Sequence, residues 1–172
     1  MKKLIKNLNA PVLQNKWYAD LLLAIPRVVC GMMLAIDFGA SKFGMPWTPS
    51  GQNLQLFEVA EWFPQDVAAY GGVFALAPVF FAWMGAASEA IGGLFLAAGL
   101  KSRVASFFIL CTMLVAIFFQ KWGQGLWGML PAMGFLWVSL HTLILGSGRF
   151  GLDYLIHKMR VEKLVNTPIA QL

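Results

Sequence analysis

Four long apolar stretches constrain the fold of this chain more than any other feature of its sequence. They cover about residues 20 to 42, 70 to 100, 103 to 121 and 126 to 146. About 20 apolar residues in helical form cross the hydrocarbon core of a bilayer. Because backbone polar groups must be paired inside lipid, each stretch predicts a transmembrane helix. The sequence therefore predicts an all-α integral membrane protein built as a four-helix bundle.

The amino-acid composition agrees with a lipid environment. Hydrophobic residues make up 59% of the 172 residues and charged residues only 12%, whereas a soluble domain carries about 25% charge. Four spans account for most of this length, so we expect one transmembrane domain over residues 1–172. The net charge of +5 does not predict a nucleic-acid partner, because most of the cations lie beside the apolar stretches.

The positive charges predict how the chain is oriented. Ten of the 13 Lys and Arg residues fall in three segments that the four spans bring to one side of the membrane. They are Lys2, Lys3, Lys6, Lys16, Lys101, Arg103, Arg149, Lys158, Arg160 and Lys163. The positive-inside rule places both termini and the tail, residues 147–172, in the cytoplasm, and the loop of residues 43–69 outside. We expect the protein in the inner (plasma) membrane of a bacterial or archaeal cell.

Two segments outside the spans have the pattern of helices that lie on a membrane surface. In the outer loop, LQLFEVAEWF has a polar residue at every third position, which predicts either a short surface helix or a loosely ordered loop. In the tail, LDYLIHKMRVEKLV predicts a second interfacial helix with its cations toward lipid headgroups. The second span is too long to cross straight, so it either kinks at Pro78 or begins above the membrane.

Few ionisable residues fall inside the spans or at their ends. Burying one in lipid costs about 2.5 to 3.5 kcal/mol, so each is a candidate site residue with a partner to be found. The candidates are Arg27, Asp37, Lys42, Glu89 and His141. Asp37 and Lys42 lie near the outer end of the first span, where they either line an outer pocket or extend to water. His141 is either a hydrogen-bonded packing residue or a ligand-binding residue.

Small residues at four-residue spacing line one face of each of the first two spans. The stripes are Arg27, Gly31, Ala35 and Gly39 in the first span, and Gly85, Glu89, Gly93 and Ala97 in the second. Such stripes let two backbones approach closely, so we expect helix packing at the four glycines. Arg27 and Glu89 differ in height by about one helical turn, which predicts an ion pair between them. This pair either only fixes the fold or also holds a polar headgroup or carries protons.

Several kinds of chemistry are not indicated. Cys30 and Cys111 lie within apolar stretches and lack a CxxC spacing, so we expect neither a disulfide framework nor a metal site. A haem held by two histidines needs a second His in the membrane, and His157 lies in the tail. The sequence contains no dinucleotide-binding, P-loop or HExxH motif. We therefore expect no covalent or metal cofactor.

Three motifs follow one another along the chain. They are RVVCGMMLAIDFGASK, which begins at Arg27, EAIGGLFLAAGLKSRVASF, which begins at Glu89, and LGSGRFGLD, which begins at Leu145. In order and spacing they resemble the DoxX/DoxD family of small four-helix membrane proteins, over about residues 20 to 155. Many family members have His just before the glycine at position 39, where this chain has Phe38 preceded by Asp37.

The resemblance implies membrane redox chemistry, because named members include the small quinone-facing subunit of a thiosulfate:quinone oxidoreductase. It predicts a membrane subunit that binds quinone, or another lipid with a polar head, in a pocket bounded by Arg27 and Glu89. Asp37 or His141 is expected as a further wall residue. Whether the chain is itself an enzyme is left open, since the electrons would come from the cofactor of a partner subunit.

A rival interpretation is a non-catalytic assembly subunit of a larger membrane complex, in which the polar residues only fix helix register. Trp83 and Trp137, near the middle of their spans, would then face another subunit's helix. A transporter is disfavoured, because the chain shows no internal repeat.

Overall fold

The structure is a computed structural model that describes residues 12–165, with side chains described to residue 162. We number its α-helices α1 Trp17–Met33, α2 Trp62–Ala69, α3 Gly72–Leu76, α4 Pro78–Ala98, α5 Ser102–Val115, α6 Gly125–Leu145 and α7 Leu152–Val165. π-Helical segments, Leu34–Gly39 and Ala116–Gln120, extend α1 and α5. Short 3-10 helices cover Ser50–Gln52 and Trp122–Gln124.

Four helical segments are long and apolar enough to cross a membrane. They are Trp17–Gly39, Pro78–Ala98, Ser102–Gln120 and Trp122–Leu145. The predicted all-α fold with four spanning helices is therefore confirmed; between residues 12 and 165 the backbone forms no strand, only an isolated bridge. The cytoplasmic placement of both termini stays a prediction. Four of the cations behind it, Lys2, Lys3, Lys6 and Lys163, lie outside the residues whose side chains are described.

The second predicted span is divided before Pro78. The short helix α3 ends at Leu76, and Ala77, at φ −145° and ψ 61°, breaks the backbone between it and α4. Pro78 is the first residue of α4, a position where the missing N–H of proline leaves no helical hydrogen bond unmade. The expected span of residues 70–100 thus shortens to Pro78–Ala98, and its first turns form a separate helix instead of a kinked extension.

The loop between α1 and α2 is ordered without the predicted surface helix. Residues 54–61 carry no helix, and a bridge joins Phe43 to Val59. The N–H of Gly44 donates to the carbonyl of Glu58 at 2.7 Å. A Cβ on Gly44 would lie 1.7 Å from the carbonyl oxygen of Gln55, so this crossing requires glycine. The short helix expected over LQLFEVAEWF is therefore misplaced: a turn at residues 55–58 and the bridge at Val59 occupy most of the segment, and the helix begins only at Trp62.

α1 and its π-helical extension pack against α4 through small residues. A Cβ on Gly31 would lie 2.6 Å from the carbonyl oxygen of Gly93. A Cβ on Gly39 would lie 2.5 Å from the Cα of Ala90. Backbone meets backbone at both contacts, which is how helices associate in lipid, where hydrophobic burial between them gains little. Gly85, also expected at such a contact, has its nearest neighbour at an ordinary 3.7 Å, in the ring of Phe63.

Two apolar clusters form the buried core of the described residues. One joins the π-helical extension of α1 to α4, α5 with its own extension, and α6 through Leu34, Leu96, Ile109, Met113, Ile117, Ala132 and Phe135. The other packs the loop and α2 onto α4 through Phe43, Phe63, Val67, Ala82, Ala86 and Ala90. We call the end of the bundle that carries the loop of residues 40–61 the loop end, and the opposite end, which carries α7, the tail end.

The helix predicted in the tail forms as α7 and contributes a cap to α5. The carboxylate of Asp153 accepts hydrogen bonds from the backbone N–H groups of Lys101, at 2.7 Å, and Ser102, at 2.9 Å. The Ser102 hydroxyl donates to the same carboxylate at 2.8 Å. These bonds satisfy amide groups that begin a helix and have no partner within it, so α7 is fixed to the start of α5.

The close approach of α1 and α4 makes Gly93 sensitive to any side chain. In Gly93→Ala the new Cβ would meet the backbone of Ala35 and Gly31 at 2.8 Å. We expect this overpacking to lower the free energy of unfolding by about 1 to 3 kcal/mol. Reversible denaturation in detergent micelles measures it.

Gly134→Ala is the matched control, since a Cβ there has no neighbour within 4 Å. We expect it to be neutral or to stabilise the helix by up to about 1 kcal/mol. Equal effects of the two substitutions would contradict the close packing at Gly93.

A candidate intramembrane binding site

An aromatic cavity lies between α2, α3, α4 and α5 at the loop end of the bundle. Its volume is about 390 Å³. Seven aromatic side chains line it: Phe63, Tyr70, Phe74, Phe80, Phe81, Phe107 and Phe108. Its polar groups are few, chiefly Lys42, Glu89, Tyr70, Thr112 and Gln120. The cavity thus combines an apolar wall with a small number of placed polar groups.

An ion pair between Lys42 and Glu89 forms part of the cavity wall. The ammonium Nζ of Lys42 lies 2.6 Å from Oε2 of Glu89, and the two side chains are 12% and 5% exposed. The same ammonium lies 5.2 Å from the centre of the Phe63 ring, a distance typical of cation–π contacts. Removing either side chain would leave the other charge buried without a partner, which strongly destabilises a fold.

The local backbone explains why Lys42 turns inward. The N–H of Lys42 donates to the carbonyl of Gly39 at 3.0 Å, and its own carbonyl accepts from the N–H of Ala60 at 2.9 Å. Lys42 is therefore fixed between the end of the π-helical segment and the loop. Glu89 directly precedes Ala90, the residue on which Gly39 packs, so the helix contact brings the two charges together.

Tyr70 follows α2 and lies outside the four spans. Burial and, after it, the negative charges of Asp66 and Glu89 raise the pKa of its phenol to about 12. The hydroxyl therefore stays protonated at physiological pH and keeps a hydrogen to donate. Gln120, at the end of the π-helical segment after α5, adds an amide to the same cavity.

Arg27 does not pair with Glu89 as the sequence predicted. Its guanidinium donates to the carbonyl of Leu96, to that of Ala97 at 2.9 Å and to that of Phe150 at 2.9 Å. In antiparallel helices, side chains lean toward opposite ends of the bundle, because each leans toward the amino end of its own helix. Arg27 therefore reaches the tail end, where it binds the last carbonyls of α4, and Glu89 is left to Lys42.

The two remaining candidates lie away from the cavity. Asp37 is exposed. His141 is exposed on α6, with Nδ1 2.8 Å from the carbonyl oxygen of Trp137. With Arg27 it borders a space of about 20 Å³, enough for a water molecule and not for a ligand. Arg27 and Glu89 therefore do not bound one common pocket, as was expected. Arg27 and His141 border the small space, and of the five candidates Lys42 and Glu89 line the large cavity.

Asp20 is a buried charge that the sequence analysis missed. It is 1% exposed, and its Oδ2 lies 3.0 Å from Nε of Arg149. Its Oδ1 accepts from the backbone N–H of Gln14 at 3.2 Å. Nothing in the sequence singled it out, because an acidic residue in the first turn of α1, beside the basic leading segment, is typical of the membrane interface. No group of three or more His, Cys, Asp or Glu suited to a metal ion occurs among the described residues.

Spanning helices that enclose an apolar cavity with a buried ion pair define a multi-pass helical membrane protein with a candidate binding site. The family model DoxX matches residues 22–122, more than half of the chain. The chain therefore belongs to the DoxX family. No curated protein and no solved structure matches it.

The ion pair predicts a strong difference between single and double substitution. Lys42→Met leaves the Glu89 carboxylate buried without its partner and should lower the free energy of unfolding by about 3 to 5 kcal/mol. The double variant Lys42→Met/Glu89→Gln should lie closer to the wild type, because no charge is stranded. Denaturation in detergent micelles gives the coupling free energy, and purely additive losses would contradict the interaction.

Proposed function

We propose that this protein is a quinone-binding subunit of a redox complex in the plasma membrane, with both termini in the cytoplasm. The observation that carries the proposal is the aromatic cavity of about 390 Å³ with the Lys42–Glu89 pair in its wall. Small-molecule sites commonly measure about 300 to 1,000 Å³ and combine apolar walls with a few polar groups. Membership of the DoxX family is compatible with such a role.

The polar groups of the cavity suit a quinone ring. A quinone is flat and carries carbonyl oxygens that only accept hydrogen bonds. The ammonium of Lys42 and the protonated phenol of Tyr70 are donors, and the surrounding phenylalanine rings offer faces for stacking. The ligand would thus be oriented by its oxygens and held by its ring.

The cavity faces lipid on one side. Phe107 and Phe108, in its wall on α5, are 51% and 41% exposed. Because these outward surfaces meet hydrocarbon, a lipid-soluble ligand would enter sideways from the bilayer without crossing water. This route favours a membrane quinone over a polar substrate.

In this function the chain supplies binding, orientation and a proton, and a partner subunit supplies the electrons. Reduction of a quinone to a quinol consumes protons as well as electrons. Glu89 is the acid–base group in the cavity wall, and Lys42 beside it would hold the carboxylate charge between proton transfers. The electron donor would be the cofactor of the partner.

One observation favours the rival role of an assembly subunit. The side chain of Trp137, midway along α6, is 62% exposed, as expected if another subunit covers it. Trp83 was also expected to face another subunit. Its indole N–H instead donates to the carbonyl of Phe57 in the same chain at 3.2 Å. The two roles are compatible, since a subunit can bind quinone and dock on a partner through α6.

Filling the cavity should abolish quinone binding. In Gly85→Leu the Cβ has no neighbour closer than 3.7 Å, so the side chain should enter the cavity without disturbing a helix contact. We expect affinity for a photoreactive benzoquinone, measured on purified protein in lipid nanodiscs, to fall at least about tenfold, or about 1.4 kcal/mol.

Gly134→Leu is the matched control, because it adds the same side chain to α6, where a Cβ has no neighbour within 4 Å. Its affinity should equal that of the wild type. Equal labelling of all three proteins would overturn the proposed site.

Glu89→Gln should separate the redox role from the assembly role. In the complex isolated from native membranes, the substitution removes the acid–base group and should lower quinone-dependent turnover about 100-fold. Glu61→Gln, at an exposed carboxylate in the loop, should leave turnover unchanged. Full turnover in an assembled Glu89→Gln complex would favour the assembly subunit.

A further inference from the structure

A second apolar groove runs between α4 and α5 toward the tail end. Its volume is about 360 Å³. Small residues, Ala87 and Gly92 on α4 and Ala105 on α5, are among those that line it. Larger side chains, which include Phe95 and Val104, complete its walls. The groove therefore has the shape of a slot between two helices.

The groove continues from the aromatic cavity. Met84 and Phe108 belong to the walls of both, so the two spaces meet at this pair. From Met84 to Phe95 the groove follows twelve residues of α4, and the eleven steps between them span about 16 Å at 1.5 Å per residue. Its far end lies at Lys101, directly before α5. The cavity and the groove together form one path along the α4–α5 pair.

Two hydroxyl groups along this path, that of Ser88 in the groove wall and that of Thr112 in the cavity wall, are bonded to each other and to helix carbonyls. The hydroxyl of Ser88 donates to the carbonyl of Gly85 at 2.8 Å and lies 2.6 Å from that of Thr112. The hydroxyl of Thr112 donates to the carbonyl of Phe108 at 3.0 Å. Because the Ser88 hydroxyl has partners within the helices and Lys101 lies only at the far end, the groove between Met84 and Phe95 offers contact to a hydrocarbon chain and little to a polar group.

We propose that the groove binds the hydrocarbon tail of the ligand whose ring occupies the aromatic cavity. The inference rests on the proposed function and adds the substrate class: a quinone with an isoprenoid tail long enough to pass Met84 and lie against Ala87 and Gly92. The tail leaves the ring where Met84 and Phe108 line both spaces and runs toward the tail end. The site therefore selects tailed quinones over bare rings by packing along the slot.

Photolabelling with two probes on purified protein in nanodiscs tests this placement. One probe is a benzoquinone with the photoreactive group on the ring, and the other carries it near the end of an isoprenoid tail. We expect the ring probe to label α5 between Phe107 and Ala116, and the tail probe to label residues beside the slot, such as Val104. Ala87→Phe, which fills the slot, should reduce tail labelling there at least about tenfold and leave ring labelling in place.

Leu94→Phe is the matched control, since it adds the same ring to an exposed position of α4 outside the slot. It should change neither labelling pattern. Ring labelling in the cavity with tail labelling spread over the lipid-facing surfaces would overturn the tail groove and leave the proposed function standing. Failure of both probes to label the cavity would overturn the proposed function and the tail groove together.

Discussion

The close contact of α1 with α4 is the constraint on which the rest of the structure depends. Lipid offers little hydrophobic gain when helices associate, so packing and hydrogen bonds must hold them. Here the glycines at 31, 39 and 93 let the two backbones touch. This contact sets the height at which Lys42 meets Glu89, and the loop and α2 then close the cavity around the pair. The proposed binding site thus depends on glycine, which has no side chain, at these three positions.

The two ends of the bundle use their charges differently. At the tail end, Arg27 is bound to carbonyl groups of α4 and of the loop before α7, and Arg149 pairs with Asp20. These contacts join chain segments that are distant in sequence, and the space beside Arg27 is only about 20 Å³. At the loop end, the Lys42–Glu89 pair borders a large cavity. The charges at the tail end thus join chain segments to one another, and the charge pair at the loop end borders the proposed binding site.

The sequence predicted the spans well because an apolar run of sufficient length has few alternatives in a bilayer. It also identified Lys42 and Glu89 as candidates, since intramembrane charges are rare. It assigned the wrong partner to Glu89, because pairing by height ignores the direction in which each side chain leans. The aromatic wall was not predictable, because Phe63 lies in α2 and Tyr70 directly follows it, and the place of this helix depends on the course of the loop. Asp20 escaped notice, because its partner Arg149 lies at the far end of the chain.

The π-helical segment at the end of α1 makes the geometry depend on how one turn is wound. A π-helical turn holds one more residue than an α-helical turn, so the segment Leu34–Gly39 accommodates an additional residue without rotating the chain that follows. If the same six residues were wound as a regular α-helix, the chain after them would rotate by about 100°, and Lys42 would point away from Glu89. The ion pair therefore requires the wide turn, while the apolar character of the helix is the same in either winding. Relatives with four similar spans could therefore differ in whether they bind a ligand at all.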